Sequence, residues 1–434
     1  VAAADLAKLP EGTASVQVSV TNNAGNSAQA GHEYRVDSQA PGITINALAG
    51  DDVLNAAEQG QPLTVSGTTT AEAGQTVTVS LNGETYSATV QADGSWSLNI
   101  PATDLADLKD GSVTVSASVT DKAGNPASAD RAMTVDATVP VVTINTVAGD
   151  DVINQTEHSQ AQIISGSVTG ANTGDKVTVT LGDHSWTTVV DAAGKWSLGV
   201  PADVVSALQD GKVVLDVTVT DAAGNSGSAS HNVTVDTGLP SLSFDTLAGD
   251  GILNATEKGQ PLVLSGTSAH LAAGTVVTVM LNGKRYSATV DDSGNWRTEV
   301  PVADLAGLGE AGYTLTATAT NGVGNSVNAS GSLTVDTARP QVTIDAVTAD
   351  NIINAAELAA GQMLTGKVSG AASGDTVTIM MGGKNYEVKV QDDLSWKLEL
   401  SQEILKALGD GELTISASVT NGHGNSGSAE RDIA

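Results

Sequence analysis

Residues 76–90 read TVTVSLNGETYSATV. β-Branched and small residues alternate on both sides of Asn82-Gly83, and an Asn-Gly pair between two such runs is a strong hairpin signal. Asp93-Gly94 marks a second turn, just ahead of Trp96. Tyr86 has counterparts at Trp186, Tyr286 and Tyr386, and Trp96 recurs as Trp196, Trp296 and Trp396, at a step of 100. Asp37, Asp136, Asp236 and Asp336 keep nearly the same step, each followed four residues on by Pro41, Pro140, Pro240 or Pro340. The chain therefore divides into four repeats, 37–135, 136–235, 236–335 and 336–434. Residues 1–36 match only the last third of a repeat, because DLAKLPEG at 5–12 aligns with DLADLKDG at 104–111. They are expected to be the C-terminal remnant of a preceding repeat, in a piece cut from a longer array.

A period near 100 residues is a whole domain and not one turn of a solenoid. In the first repeat, short strands are expected at 42–46, 62–68, 76–81, 85–90, 95–100, 112–120 and 127–135, with one helical stretch at 101–110. Seven antiparallel strands with a turn every 8 to 12 residues or so indicate an immunoglobulin-like β-sandwich. The fold class is all-β, a tandem array of seven-stranded sandwiches forming an elongated rod; another small β-sandwich is the alternative. A strand of about nine residues spans roughly 30 Å, so each sandwich with its loops adds about 40 Å.

Composition excludes several functions. Zero cysteine rules out disulfides, thiolate zinc sites and thiol chemistry. A net charge of −30, from 49 acidic against 19 basic side chains, opposes nucleic acid and anionic membrane surfaces. No apolar run reaches the roughly 18 residues of a membrane-spanning helix, so membrane insertion is not expected. The large rings belong to the core, since Trp96 alternates with Leu98 and Ile100 and Tyr86 with Ala88 and Val90. The six histidines, at 32, 158, 184, 231, 270 and 423, share no repeat position and no catalytic role.

Carboxylates attract a hard cation, and here they recur in turns. The first motif is GDDVLNAAE at 50–58, GDDVINQTE at 149–157, GDGILNATE at 249–257 and ADNIINAAE at 349–357. A second is TDKAGN at 120–125, TDAAGN at 220–225, TNGVGN at 320–325 and TNGHGN at 420–425. The third is the Asp that opens each repeat. Each also has a purely structural explanation: Asn55-x-x-Glu58 fits a helix capping box, AGN a tight hairpin, and the Asp before Thr-x-x-Pro an ordered linker. Neither loop is an EF-hand: Val53, at position 3 counted from Asp51, offers no oxygen, and the bidentate Glu would come too early.

Topology argues for metal. Successive turns of a sandwich alternate between its ends, so the loop after the first strand of one repeat should meet the last hairpin of the next. Asp51, Asp52, Asn55, Glu58, Asp136, Asp221 and Asn225 are expected to converge at a first junction. The second gathers Asp150, Asp151, Asn154, Glu157, Asp236, Asn321 and Asn325, and the third Asp250, Asn254, Glu257, Asp336, Asn421 and Asn425. Asp37, Asp121 and Asn125 supply one side of a further junction. Clustered carboxylates repel unless a cation lies among them, and Ca²⁺ suits them better than the stricter Mg²⁺. The second Asp of the pair becomes Gly251 and Asn351, while Asn46 and Asn145 become Asp245 and Asp345; this reads as charge compensation at a shared site or as surface drift. Asp121 and Asp221 give way to Asn321 and Asn421, so the second and third junctions should hold calcium more weakly than the first.

Together, the junction Asp with its following Pro, the GDDxINxxE loop and the TDxAGN hairpin resemble the bacterial Ig-like repeats of giant non-fimbrial and biofilm-associated adhesins, over essentially the whole chain. The resemblance implies export by type I secretion from a Gram-negative cell, an extracellular, surface-retained location and a calcium-stiffened stalk. It also implies that adhesive contacts to a host cell or matrix lie in other regions. The partners expected for this segment are neighbouring repeats of the same chain, in a monomeric rod. A repeat that itself binds carbohydrate or biofilm matrix is the alternative, and it needs an exposed site recurring in every repeat. An enzyme is not expected: repeated carboxylate pairs mimic a glycosidase, but no insertion builds a cleft around them.

Overall fold

The computed structural model describes residues 1–434. They form two compact units, Val1–Ile153 with Ser159–Val235, and Asn154–His158 with Asp236–Ala434.

The first unit opens with a short helix α1 (Ala3–Leu6) and a hairpin of β1 (Gly12–Thr21) and β2 (Ser27–Val36), paired from Gly12↔Val36 to Thr21↔Ser27. Val16, Val18 and Val20 of β1 face solvent, whereas their counterparts one period on, Val115, Ala117 and Val119, are buried. The next repeat contains β3 (Val53–Asn55), α2 (Ala56–Gln59), β4 (Leu63–Thr68), β5 (Thr76–Leu81), β6 (Glu84–Thr89), β7 (Ser95–Ile100), α3 (Ala102–Leu105), β8 (Gly111–Thr120) and β9 (Pro126–Asp136). One sheet runs β3-β9-β8-β5-β6. The other pairs β4 with β7, and residues 43–46 lie along β4 through Thr44 N–H to Thr68 O and Asn46 N–H to Ser66 O. The Asn82-Gly83 turn has both residues at positive φ, 50° and 89°, as a type I′ hairpin demands. The remaining repeats build comparable pairs of sheets, with Ser241–Leu242, Leu262–Ala269 and Asn295–Val300 forming the smaller one in 236–335.

Two expectations need correcting. The sandwich is not purely antiparallel: β3 is an additional short strand that runs parallel to β9, with Val53 opposite Thr134. Three residues are too few to show a period of two, although Leu54 at the middle of β3 is fully buried. The chain reaches β3 by leaving the smaller sheet after Asn46 and crossing to the larger through Ala49, Gly50 and Asp52, all at positive φ. The helical stretch is also shorter than 101–110. It closes one turn, Ala102–Leu105, with Pro101 at the N-cap, and only Leu105 enters the core. The fourth repeat, with Ser401 as cap, extends this helix to Gln402–Leu408.

The core lies between the sheets and is aliphatic around one indole. Trp96 is buried with Val65, Val77, Val79, Ile100 and Val115. A side chain at Gly67 would place its Cβ 1.9 Å from Thr44 O and 2.6 Å from the Trp96 ring, so the indole fits only over glycine. Gly166, Gly266 and Gly366 meet their tryptophans in the same way. Tyr86 and Tyr286 are half-buried and donate their hydroxyls to Asp104 and Asp304 at 2.8 and 2.9 Å. Burial first, and then those carboxylates, push both phenols up to about 12. These two hydroxyls are therefore engaged within their own repeats.

Candidate inter-repeat junctions

Each junction is built from a helix cap, a linker and a hairpin. Asn55 caps α2: its side-chain oxygen accepts from Ala57 and Glu58 N–H, and Glu58 returns one carboxylate oxygen to Asn55 N–H at 3.0 Å. The sequence NAAE folds this way because the cap satisfies backbone donors that the helix leaves free. The second element is the hairpin of the following repeat, where Asp221 accepts from Asn225 N–H at 2.8 Å and holds the loop closed. Asn225 joins the elements. Its side-chain oxygen accepts from Ala56 N–H at 2.7 Å, while its amide donates to Asp136 O at 2.8 Å and to Asp221 at 2.9 Å. One amide thus ties the loop of one repeat, the linker and the hairpin of the next.

The arrangement recurs twice in the second unit. Asn325 accepts from Gln155 N–H at 2.7 Å and donates to Asp236 O at 2.8 Å. Asn425 accepts from Ala255 N–H at 2.7 Å and donates to Asp336 O at 2.8 Å. Asn225, Asn325 and Asn425 are 4, 2 and 1% exposed, and a buried amide is tolerated only when its hydrogen bonds are made. Asn125 reaches Asp37 O and Asp121 in the same manner, at 3.1 and 2.9 Å.

Other residues expected at the junctions are engaged within their own repeat. Asp51, Asp150 and Asp250 each accept the N–H two residues on, closing a local turn. Asp52 receives Nε and Nη2 of Arg131, both at 2.6 Å, together with Leu48 N–H. The Arg131 hydrogen bonds, followed by the Leu48 N–H, lower its carboxyl to about 2. Asp151 lies 2.7 Å from His231 Nε2. Asn154 and Glu157, like Asn254 and Glu257, are joined by the cap-to-backbone bonds seen at Asn55.

The residues found at the second Asp position share one backbone geometry. Asp52, Asp151, Gly251 and Asn351 all have φ between 61° and 86°, a region that Gly, Asn and Asp accept most readily. Asp245 and Asp345 instead accept from the hydroxyls of Ser265 and Thr365, as Asn46 and Asn145 donate to Ser66 and Ser165.

The carboxylates left at the first junction repel one another. Burial raises the Asp136 carboxyl, and the charges of Asp221, Asp110 and Asp175 raise it further. Asp110 and Asp175 were not among the expected residues. Asp110 accepts from Ala137 N–H at 2.8 Å and so clamps the linker; Glu11 and Glu310 do the same to Ser38 and Thr337. The signal was present in the sequence, as an acidic residue at 11, 110, 210, 310 and 410, in most copies directly before a glycine. At the third junction Asp336 has a different neighbour. His423 Nδ1 lies 2.5 Å from its carboxylate and holds it below the ordinary range. Asp336, Asp375, Asn421 and His423 line a cleft of about 370 Å³. Three acidic or histidine side chains do not come together anywhere as a formed metal cage. The donors at the first junction nevertheless suit a hard cation: they are carboxylate oxygens, and no basic side chain forms an ion pair with Asp136 or Asp221.

Residues 48–137, 138–237 and 250–337 match the family described as bacterial Ig-like domain. The chain belongs to that family. Among solved structures, this Ig-like array is 34% identical to a Ca²⁺-stabilized adhesin that helps an Antarctic bacterium reach out and bind ice, over 92% of this chain and 99% of that one, with a TM-score of 0.40. It is 32% identical to a structure concerned with host cell surface retention of a 1.5-MDa bacterial ice-binding adhesin, over 70% and 100%, with a TM-score of 0.38. It is 28% identical to a tetra-tandem repeat in the extending region of a large adhesion protein, over 89% and 99%, with a TM-score of 0.34. No curated protein matches the chain.

Proposed function

We propose that the chain is a stalk segment of a large, secreted bacterial surface adhesin, whose repeats are fixed end to end by junction hydrogen bonds and stiffened there by calcium. In this reading the stalk projects an adhesive tip for cell adhesion or biofilm formation, outside a Gram-negative cell that exports it by type I secretion. The observation that carries the proposal is the buried asparagine, met three times with the same partners, at Asn225, Asn325 and Asn425. A repeat whose ends are occupied in joining its neighbours acts as a spacer. Family membership and sequence kinship with adhesin repeats support the surface placement.

Calcium would be held chiefly by Asp136 and Asp221, with Asp175 and Asp110 nearby and Glu58 contributing the oxygen not used by its cap. When bound, Ca²⁺ supplies positive charge that offsets the repulsion among these carboxylates. Extracellular modules bind it at roughly 10⁻⁴ to 10⁻³ M, so such junctions would be loose inside the cell and locked outside. His423 already faces Asp336 and Asn421 replaces the carboxylate, so the third junction is expected to hold the ion more weakly than the first. Calorimetric titration of wild-type, D136N and D221N chains with Ca²⁺ tests this. Loss of the tightest binding step in both variants is expected; unchanged isotherms would refute the site.

A further inference from the structure

The chain contains four Asn-Gly dipeptides, at 82, 282, 321 and 421. Two of them are explained by the fold, because Gly83 and Gly283 have φ of 89° and 77° in their hairpin turns. Gly322 and Gly422 are not explained in this way. Neither has a positive φ, and a Cβ on either would meet nothing within 4 Å. Lys122 and Ala222 occupy the same place in the first two repeats. The glycines appear only where the junction aspartate, Asp121 or Asp221, has become Asn321 or Asn421.

We propose that Asn321 and Asn421 are sites of spontaneous deamidation, which returns a carboxylate to the loop position that Asp121 and Asp221 occupy. The local geometry favours ring closure. Asn321 Oδ1 accepts from Val323 N–H at 3.2 Å and Asn325 N–H at 2.9 Å, so its side-chain carbonyl is held within the loop that contains Gly322. Asn421 Oδ1 accepts from His423 and Asn425 N–H at 3.1 and 3.0 Å. Two donors on one carbonyl oxygen draw electrons from Cγ and stabilise the charge that develops on that oxygen during attack. Gly322 and Gly422 make no hydrogen bond through N–H, so the nucleophile is free, and both residues are exposed with no side chain to obstruct it. The glycine nitrogen forms a bond to the asparagine Cγ, loses its proton to solvent and expels the amide nitrogen as ammonia, leaving a succinimide. Water then opens that ring at either carbonyl. Opening at one gives aspartate and regenerates the loop of the first two repeats. Opening at the other gives isoaspartate, which lengthens the backbone by one methylene and cannot make the same bonds to residue 325 or 425.

Each conversion adds one negative charge. Its consequence for metal, tighter calcium binding by the aspartate form, rests on the function proposed above; the modification does not. The test is peptide mapping of the full chain after incubation in ¹⁸O-labelled water at mildly alkaline pH, with digestion in acid. Labelled carboxyl groups are expected at 321 and 421, as a mixture of aspartate and isoaspartate, and G322A and G422A should slow their appearance several-fold. The proposal is overturned if both amides survive the time in which the free peptide TNGVGN converts, or if the glycine variants convert as fast as wild type. Titration of N321D and N421D with Ca²⁺ addresses the consequence separately: no gain in affinity would count against the calcium reading alone.

Discussion

Replacing Asn225 with alanine should uncouple the first two full repeats without unfolding either. The substitution removes an acceptor from Ala56 N–H and donors from Asp136 O and Asp221, three partners held at 2.7 to 2.9 Å. Only the bonds to Ala56 N–H and Asp136 O tie the hairpin to the preceding loop and linker, because Asp221 lies in the same hairpin as Asn225; at about 1 kcal/mol for each net hydrogen bond, the loss is about 2 kcal/mol of junction energy. At 1.36 kcal/mol per power of ten, this corresponds to roughly thirtyfold. Neither hydrophobic core contains Asn225, so the change should be local. Amide hydrogen exchange on the whole chain reads it directly, because Ala56 N–H is bonded to Asn225 and to no other acceptor. Exchange at Ala56 should accelerate by about thirtyfold, while amides of the β5–β8 ladder keep their protection. Unchanged protection at Ala56 would refute the claim that this amide joins the repeats.

Other expectations concern individual repeats. Asp52 is held at about 2 by Arg131, so its ionised form stabilises the first repeat above the ordinary carboxylate pKa of 3.8, and that contribution fades as pH falls towards 2. Carboxyl NMR should show Asp52 titrating near its ordinary value in R131Q, and the acid-induced loss of stability should then flatten over that window. G67A should destabilise its repeat by about 3 kcal/mol or more, because Cβ would collide with Thr44 O as well as the Trp96 ring; a melting temperature equal to wild type would contradict the packing described. Chelation should lower the melting temperature of the wild-type chain and have a smaller effect on D136N.

The sandwich was legible in the sequence because its signals are local. An Asn-Gly turn, alternating strands and one tryptophan per period each depend on a few consecutive residues, and repetition removes the ambiguity of any single copy. The parallel strand β3 was not legible, since its position depends on a partner about eighty residues away, the Val53–Thr134 pair. At the junctions, alternation of turns between the two ends of a sandwich was enough to bring Asn55, Asp136, Asp221 and Asn225 together. Which of their atoms would be free was not predictable. Asn55 spends its oxygen on the α2 cap and Asn225 spends its amide on the linker, so both asparagines are engaged by backbone groups. Asp52 escaped the same reasoning because its counter-ion, Arg131, arrives from the far end of the repeat.

If calcium stiffens these junctions, small-angle X-ray scattering of the full chain detects it. Profiles recorded with millimolar Ca²⁺ and with chelator should differ, the chelated chain showing a broader range of dimensions and a shorter mean length. In D136N the difference should shrink. Superimposable profiles from the wild-type chain in the two conditions would rule out calcium stiffening.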